Sequence, residues 1–134
     1  MEMHELLSLA RAAAESAYAP YSHFRVGAAI LCEDDSVYTG VNVENRSFGL
    51  TICAERSAVV KAVTDGRKAV KAVAVSCPDA DYPVSPCGAC RQVLSEFAAP
   101  SCPVVFEDGN GVSVSTTMGE LFPHDALRDL KENL

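Results

Sequence analysis

The chain has 134 residues, 49% of them hydrophobic and 22% charged, a balance that suits a single domain spanning 1–134 with an ordinary buried core and excludes a disordered or low-complexity protein. Its formal net charge of -7 excludes a surface of clustered Lys and Arg for phosphate backbones, so nucleic acid is not an expected partner. The opening stretch MEMHELLSLARAAAESA carries acidic residues and no unbroken apolar run, so the expectation is a cytoplasmic protein with neither a signal peptide nor a membrane span.

In chain order, Leu6, Leu7, Ala10, Ala13, Ala14 and Ala17 recur at helical spacing and predict an amphipathic helix from Glu2 to Ser16. Gly27 to Cys32 reads as an apolar strand, 33–36 as a turn and Val37 to Val43 as a second strand, together a hairpin. A loop over 42–51 leads to an Ala- and Val-rich helix, Cys53 to Val63, closed by Asp65-Gly66. Val70 to Val75 is a third strand. A loop rich in Pro and Asp then leads into a helix from Cys87 to Ala98, which Pro100 and Pro103 end. Val104 to Phe106 and Val112 to Thr116 read as two further strands about Asp108-Gly109-Asn110-Gly111, and the tail from Met118 as helical with a break at Pro123. Helices falling between strands predict an α/β fold, a three-layer α/β/α sandwich around a five-stranded mixed sheet.

Six cysteines stand at 32, 53, 77, 87, 90 and 102, and a core this apolar does not need disulfide staples, so reduced thiols are expected. Cys87 and Cys90 form a CxxC within PCGAC, and Cys53 opens CAE. At a helix start, unpaired backbone N–H groups and the helix dipole favour the thiolate that zinc requires. Three thiolates leave one coordination position open, the count of a catalytic zinc, whereas structural zinc has four closed ligands. Taken alone, PCGAC also fits a redox pair or half of a structural zinc site. Cys32, Cys77 and Cys102 lie in or beside apolar strand-like stretches and are assigned no chemistry. Glu55, two residues past Cys53, points away from the Cys53 direction on an ideal helix and is better placed to handle protons than to ligate. Arg56 is placed to offset the excess negative charge of three sulfurs, or else is a surface cation.

Beyond these residues, the segments YAPYSHFRVGAA (18–29), NVEN (42–45), GLTICAER (49–56) and VSPCGACRQ (84–92) resemble the small, homotetrameric zinc-dependent cytidine deaminases, over about 5–125 of the chain. The CAE and PCxxC signature is itself a worked example of zinc deaminase chemistry. The resemblance implies Zn2+ held by Cys53, Cys87 and Cys90. Glu55 would move protons among the attacking water, the pyrimidine N3 and the departing amine. Asn42 and Glu44 would bind the ribose 3′-hydroxyl, the Ala54 backbone would read the pyrimidine edge and Phe24 would pack on the base. The implied reaction is the hydrolytic deamination of cytidine and deoxycytidine, a step of pyrimidine salvage on a small-molecule nucleoside. Without the resemblance, Phe24 reads as plain core and Asn42 and Glu44 as turn residues.

The chain departs from the family's pattern at three positions: Phe48 replaces a usual Tyr, Arg46 replaces a small residue, and Ala126 stands where relatives carry a Phe that reaches a neighbouring subunit's site. A second reading is therefore a deaminase of a modified cytosine nucleoside, blasticidin S or an N4-substituted cytidine, on the same fold. A third, of a different class, is a non-catalytic structural-zinc module.

Overall fold

The structure, a computed structural model, describes residues 1–132 and 134. Its elements run α1 (Met3–Ala14), β1 (Gly27–Cys32), β2 (Val37–Val41), a 3-10 turn (Phe48–Leu50), α2 (Ala54–Thr64), β3 (Val70–Ser76), α3 (Gly88–Phe97), β4 (Pro103–Glu107), β5 (Ser113–Thr117), α4 (Met118–Leu121) and α5 (Arg128–Glu132). One sheet has the order β2-β1-β3-β4-β5, with β3 and β4 parallel and every other pair antiparallel.

The alternation of side chains along a strand divides the core into two layers. Ala29 and Leu31 of β1, Ala72 and Ala74 of β3 and Val105 of β4 meet Leu6, Leu7 and Ala10 of α1. The intervening residues Ala28, Ile30, Val73, Val75, Val104 and Phe106 face the opposite way, onto Ala58, Val59 and Ala62 of α2 and Leu94 of α3. The expected three-layer sandwich is thus present, with α1 on one face and α2 and α3 on the other.

Two glycines let the helices sit directly on strand backbone. A Cβ on Gly27 would lie 2.0 Å from the carbonyl oxygen of Ala10 in α1, and one on Gly40 would lie 2.4 Å from the Ala58 nitrogen and 2.5 Å from the Ala54 oxygen in α2. The second approach fixes the start of α2, and with it Cys53, against β2.

Topology then gathers the site. β2 and β3 are both antiparallel to β1, so they run the same way and leave the sheet at one edge. Val41 and Ser76 are both paired with Gly27 at that edge, where the segment 18–26 enters β1. The chain therefore departs from β2 toward Cys53, departs from β3 toward Cys87 and arrives at β1 past Phe24, all on the same side. This is the end of an α/β sheet where ligand sites collect.

Element boundaries differ from the sequence reading by one to three residues. The first helix ends at Ala14 because Glu15, Ser16 and Ala17 donate to carbonyls three residues back, a tightening of the last turn. β2 stops at Val41, since Asn42 turns its amide to the neighbouring segment and Val43 makes only isolated bridges, to Tyr18 and Ile52.

Candidate metal and catalytic site

Cys53 and Cys87 occupy equivalent places, each the N-cap of a helix, with extended backbone at φ -73°, ψ 156° and φ -68°, ψ 169°. Neither thiol caps its own helix, so both remain free to turn to a common point. Cys90 lies one turn into α3 and is fully buried. The Cys53 and Cys87 sulfurs are 3.9 Å apart, those of Cys87 and Cys90 3.5 Å, and all three lie within 4.8 Å of one another.

Zinc binds thiolate at about 2.3 Å with tetrahedral angles, which separates its sulfur ligands by about 3.8 Å. Two of the spacings bracket that distance and the third stays within 4.8 Å, so the donor set is compatible with zinc. Ionisation supports the same conclusion. Cys53 receives a hydrogen bond from Cys90 and is flanked by Arg56, which hold its thiol down at about 5 against the opposing effect of burial. Cys90, bonded to Cys53 and buried, is pushed up. A divalent cation held there would supply the positive charge that a second thiolate beside the first needs. The Cys87 side of the cluster is exposed to solvent.

Glu55 stands in the first turn of α2 with only 4% of its surface exposed. Burial pushes its carboxyl up to about 7, aided by the charge on Cys53 and opposed by its own backbone N–H, the Cys90 thiol and Arg56. Ala54, before it, is fully buried at the helix start. Arg56 donates from Nη2 to Cys53 Sγ at 3.3 Å and to the Thr51 carbonyl at 3.4 Å, while its buried Nε has no partner among the described residues. The guanidinium thus lies against the Cys53 sulfur.

A second group of residues surrounds the segment 21–26. The Asn42 amide accepts from Val26 N at 2.9 Å and donates to Phe24 O at 2.8 Å, which uses one acceptor site and one of its two N–H donors. Phe24 is half-buried and packs on the larger core layer. Glu44 accepts from Tyr21 N at 3.0 Å, from Ser22 N at 3.1 Å and from the Ser22 hydroxyl, and these donors, Ser22 foremost, hold its carboxyl below the usual range. Phe48 is 75% exposed, with its ring 5.8 Å from that of Tyr21. Arg46 and Ala126 are exposed, the latter on a tail that is tied to α3 by Gln92 and Asp125. Cys32, Cys77 and Cys102 are buried as free thiols away from the cluster's ligand set.

The structure also brings in residues to which the sequence reading gave no role. Arg91, within the CGACRQ run, donates to Pro86 O, Leu121 O and Ser85 Oγ at 2.7–2.8 Å and so fastens the loop before Cys87 to the tail. Asp79 accepts from the backbone and the guanidinium of Arg25 at 2.8–3.0 Å, joining the Phe24 segment to the 77–86 loop. Ser22 bridges Glu44 and Phe24. Arg91 had a signal, its place in a motif, but the other pairings join residues 22 and 54 positions apart and leave no local trace. A groove of about 820 Å³ lies elsewhere, between the second half of α3 and the tail, and neither the three cysteines nor Glu55 line it.

Comparison with known proteins supplies the remaining fact. Residues 1–106 match the family model described as the cytidine and deoxycytidylate deaminase zinc-binding region. The chain belongs to the cytidine deaminase family. A cytidine deaminase of Sporosarcina psychrophila is 48% identical over 123 residues, covering 92% of this chain and 90% of its own, and one of Halalkalibacterium halodurans is 47% identical with 92% of each covered. The crystal structure of the Burkholderia pseudomallei cytidine deaminase superposes with a TM-score of 0.87 at 45% identity, over 92% of this chain and 98% of that one. A blasticidin-S deaminase of Bacillus cereus is also similar, at 37% identity over 126 residues, with 89% of this chain and 88% of its own covered.

Proposed function

We propose that the chain hydrolyses cytidine and deoxycytidine to uridine and deoxyuridine with release of ammonia. The observation that carries the reading is the burial of the Glu55 carboxyl against a three-thiol cluster spaced for zinc, in a chain 48% identical to a cytidine deaminase over most of its length.

Cys53, Cys87 and Cys90 would hold zinc, which when bound would supply Lewis acidity that brings the ionisation of water toward neutral pH. Every proton transfer then falls to Glu55. It takes a proton from the attacking water and gives it to the pyrimidine N3 as the oxygen adds to C4. It then carries the remaining hydroxyl proton to the exocyclic amine, the C4–N bond breaks and ammonia leaves. Burial keeps bulk water from competing for those protons. Arg56, on Cys53, offsets charge on the thiolate set. The Ala54 backbone meets the edge of the base, Phe24 packs on its face, and the spare Asn42 donor and the Glu44 carboxylate hold the ribose. Remote binding of this kind positions C4 as well as raising affinity.

The same reading makes the active form a cytoplasmic homotetramer serving pyrimidine salvage. Phe48, Leu50, Ile52, Val43 and Val60 are all exposed on the loop 43–52 and on α2, a concentration of apolar surface that supports burial against further copies. Phe48 then belongs to an intersubunit wall beside the substrate.

The similarity to a blasticidin-S deaminase keeps the modified-nucleoside reading as the alternative, at lower identity than the cytidine deaminases. The test is a panel of cytidine, deoxycytidine, N4-methylcytidine and blasticidin S, followed by ammonia release and zinc content. Cytidine and deoxycytidine are expected to lead, with one zinc per chain. A preparation that holds zinc and turns over only blasticidin S would overturn the substrate assignment, and one that releases no ammonia from any of the four would overturn the enzyme.

A further inference from the structure

Glu44 sits on an irregular loop past the end of β2, where a carboxylate in water would ordinarily sample several rotamers. Here it cannot. A carboxylate offers about four lone-pair sites. Oε1 spends two on the backbone N–H groups of Tyr21 and Ser22, and Oε2 spends one on the Ser22 hydroxyl. A single acceptor site is left, on Oε2, and the Ser22 hydroxyl decides where it points.

The direction of that hydroxyl is itself fixed. Its oxygen accepts the Phe24 N–H at 3.0 Å, and Glu44 as an anion can only accept, so the Ser22 proton must go to Glu44. His23, between the two bonded residues, has φ 57°, an uncommon left-handed backbone for a non-glycine that persists only where neighbours over-determine it. Its N–H is bonded to Ala19 O at 2.9 Å, which closes the turn presenting Ser22. Phe24 is gripped on its other side by Asn42.

We propose that Ser22 is a positioning residue for ribose recognition, whose hydroxyl aims the last free acceptor site of Glu44 at the sugar and ties that carboxylate to the backbone of Phe24. The inference rests on the reading above that Glu44 receives the ribose 3′-hydroxyl. Ser22 touches no substrate; it acts through Glu44. Loss of the hydroxyl frees the carboxylate to turn, so the benefit of the 3′-hydroxyl fades while the chemistry at C4 is spared.

The experiment measures kcat/KM for cytidine and 3′-deoxycytidine on the zinc-loaded enzyme, for wild type, Ser22→Ala, Ser22→Thr and Glu44→Gln. Hydrogen bonds to charged groups are worth enough that Ser22→Ala should lower the cytidine to 3′-deoxycytidine ratio about tenfold, with Ser22→Thr, which keeps the hydroxyl, near wild type. General damage to the loop would lower both substrates together and leave the ratio unchanged, and that result overturns the proposal. Should Ser22→Ala fold poorly, a wild-type ratio in Ser22→Cys, which offers only a weak S–H donor, overturns it equally. Glu44→Gln separates the two claims. If it collapses the ratio and Ser22→Ala does not, the positioning role alone is wrong; if it leaves the ratio intact, Glu44 does not read the 3′-hydroxyl and both fall.

Discussion

Arg56 donates from Nη2 to the sulfur of Cys53 at 3.3 Å, from the first turn of the helix that Cys53 caps. The contact places a permanent positive charge on one of three sulfurs that must all be ionised to share one metal. Outer partners of metal ligands generally contribute about 10–100-fold to metal affinity. Arg56→Gln is expected to lower zinc affinity within that range while leaving the fold intact. Competition with a chromogenic chelator measures it, and affinity equal to wild type would show that the guanidinium does not support the thiolate.

Gly40 holds the start of α2 against β2, where an added Cβ would meet backbone at 2.4 and 2.5 Å. Backbone cannot swing aside as a side-chain tip can, so the helix must shift. Gly40→Ala should cost about 1–3 kcal/mol in stability, the usual range for overpacking. It should also lower kcat at temperatures where the protein stays folded, because Cys53 and Glu55 move with the helix. Thermal melts and initial rates on the same sample check this, and unchanged values for both would mean the backbone adapts without moving the site.

Asp79 is held at about 2 by hydrogen bonds and charge from Arg25, below its unfolded value of about 3.9. A depressed folded value means the interaction stabilises fully above the unfolded value and is lost as the pH falls through about 2. Both side chains are partly exposed, so the pair contributes little to stability and weakens with salt. Asp79→Asn should therefore lower the urea midpoint slightly at pH 7 and equally at pH 5, with the gap closing below the unfolded value. A gap that widens on acidification would reverse the assignment.

The layers of the fold were readable in the sequence because helices fall between the strands and so cover the faces of the sheet. The clustering of the three thiols was legible because Cys53 and Cys87 stand at two helix starts that flank one sheet edge, with Glu55 in the first turn of α2. The end of β2 was not, because the Asn42 side chain takes the Val26 N–H, 16 residues away, and the Asn42 carbonyl turns to Tyr18 N, although the Asn42 N–H still donates to Val26 O. Nor were the clamps on the Phe24 segment, since nothing near Ser22 or Arg25 announces Glu44 or Asp79 as the group each will meet. Phe48, expected beside the substrate, stands 75% exposed on the surface of the chain.

The central claim is that Glu55 moves protons and does not hold the metal. Glu55→Gln replaces the carboxylate with an amide of the same shape, and zinc content and kcat on cytidine are measured on one preparation. The account predicts one zinc per chain, as in wild type, and a kcat reduced by at least about a hundredfold, since a general acid/base contributes about 10²–10⁴-fold. Loss of the zinc, or a kcat above about a hundredth of wild type, would contradict it.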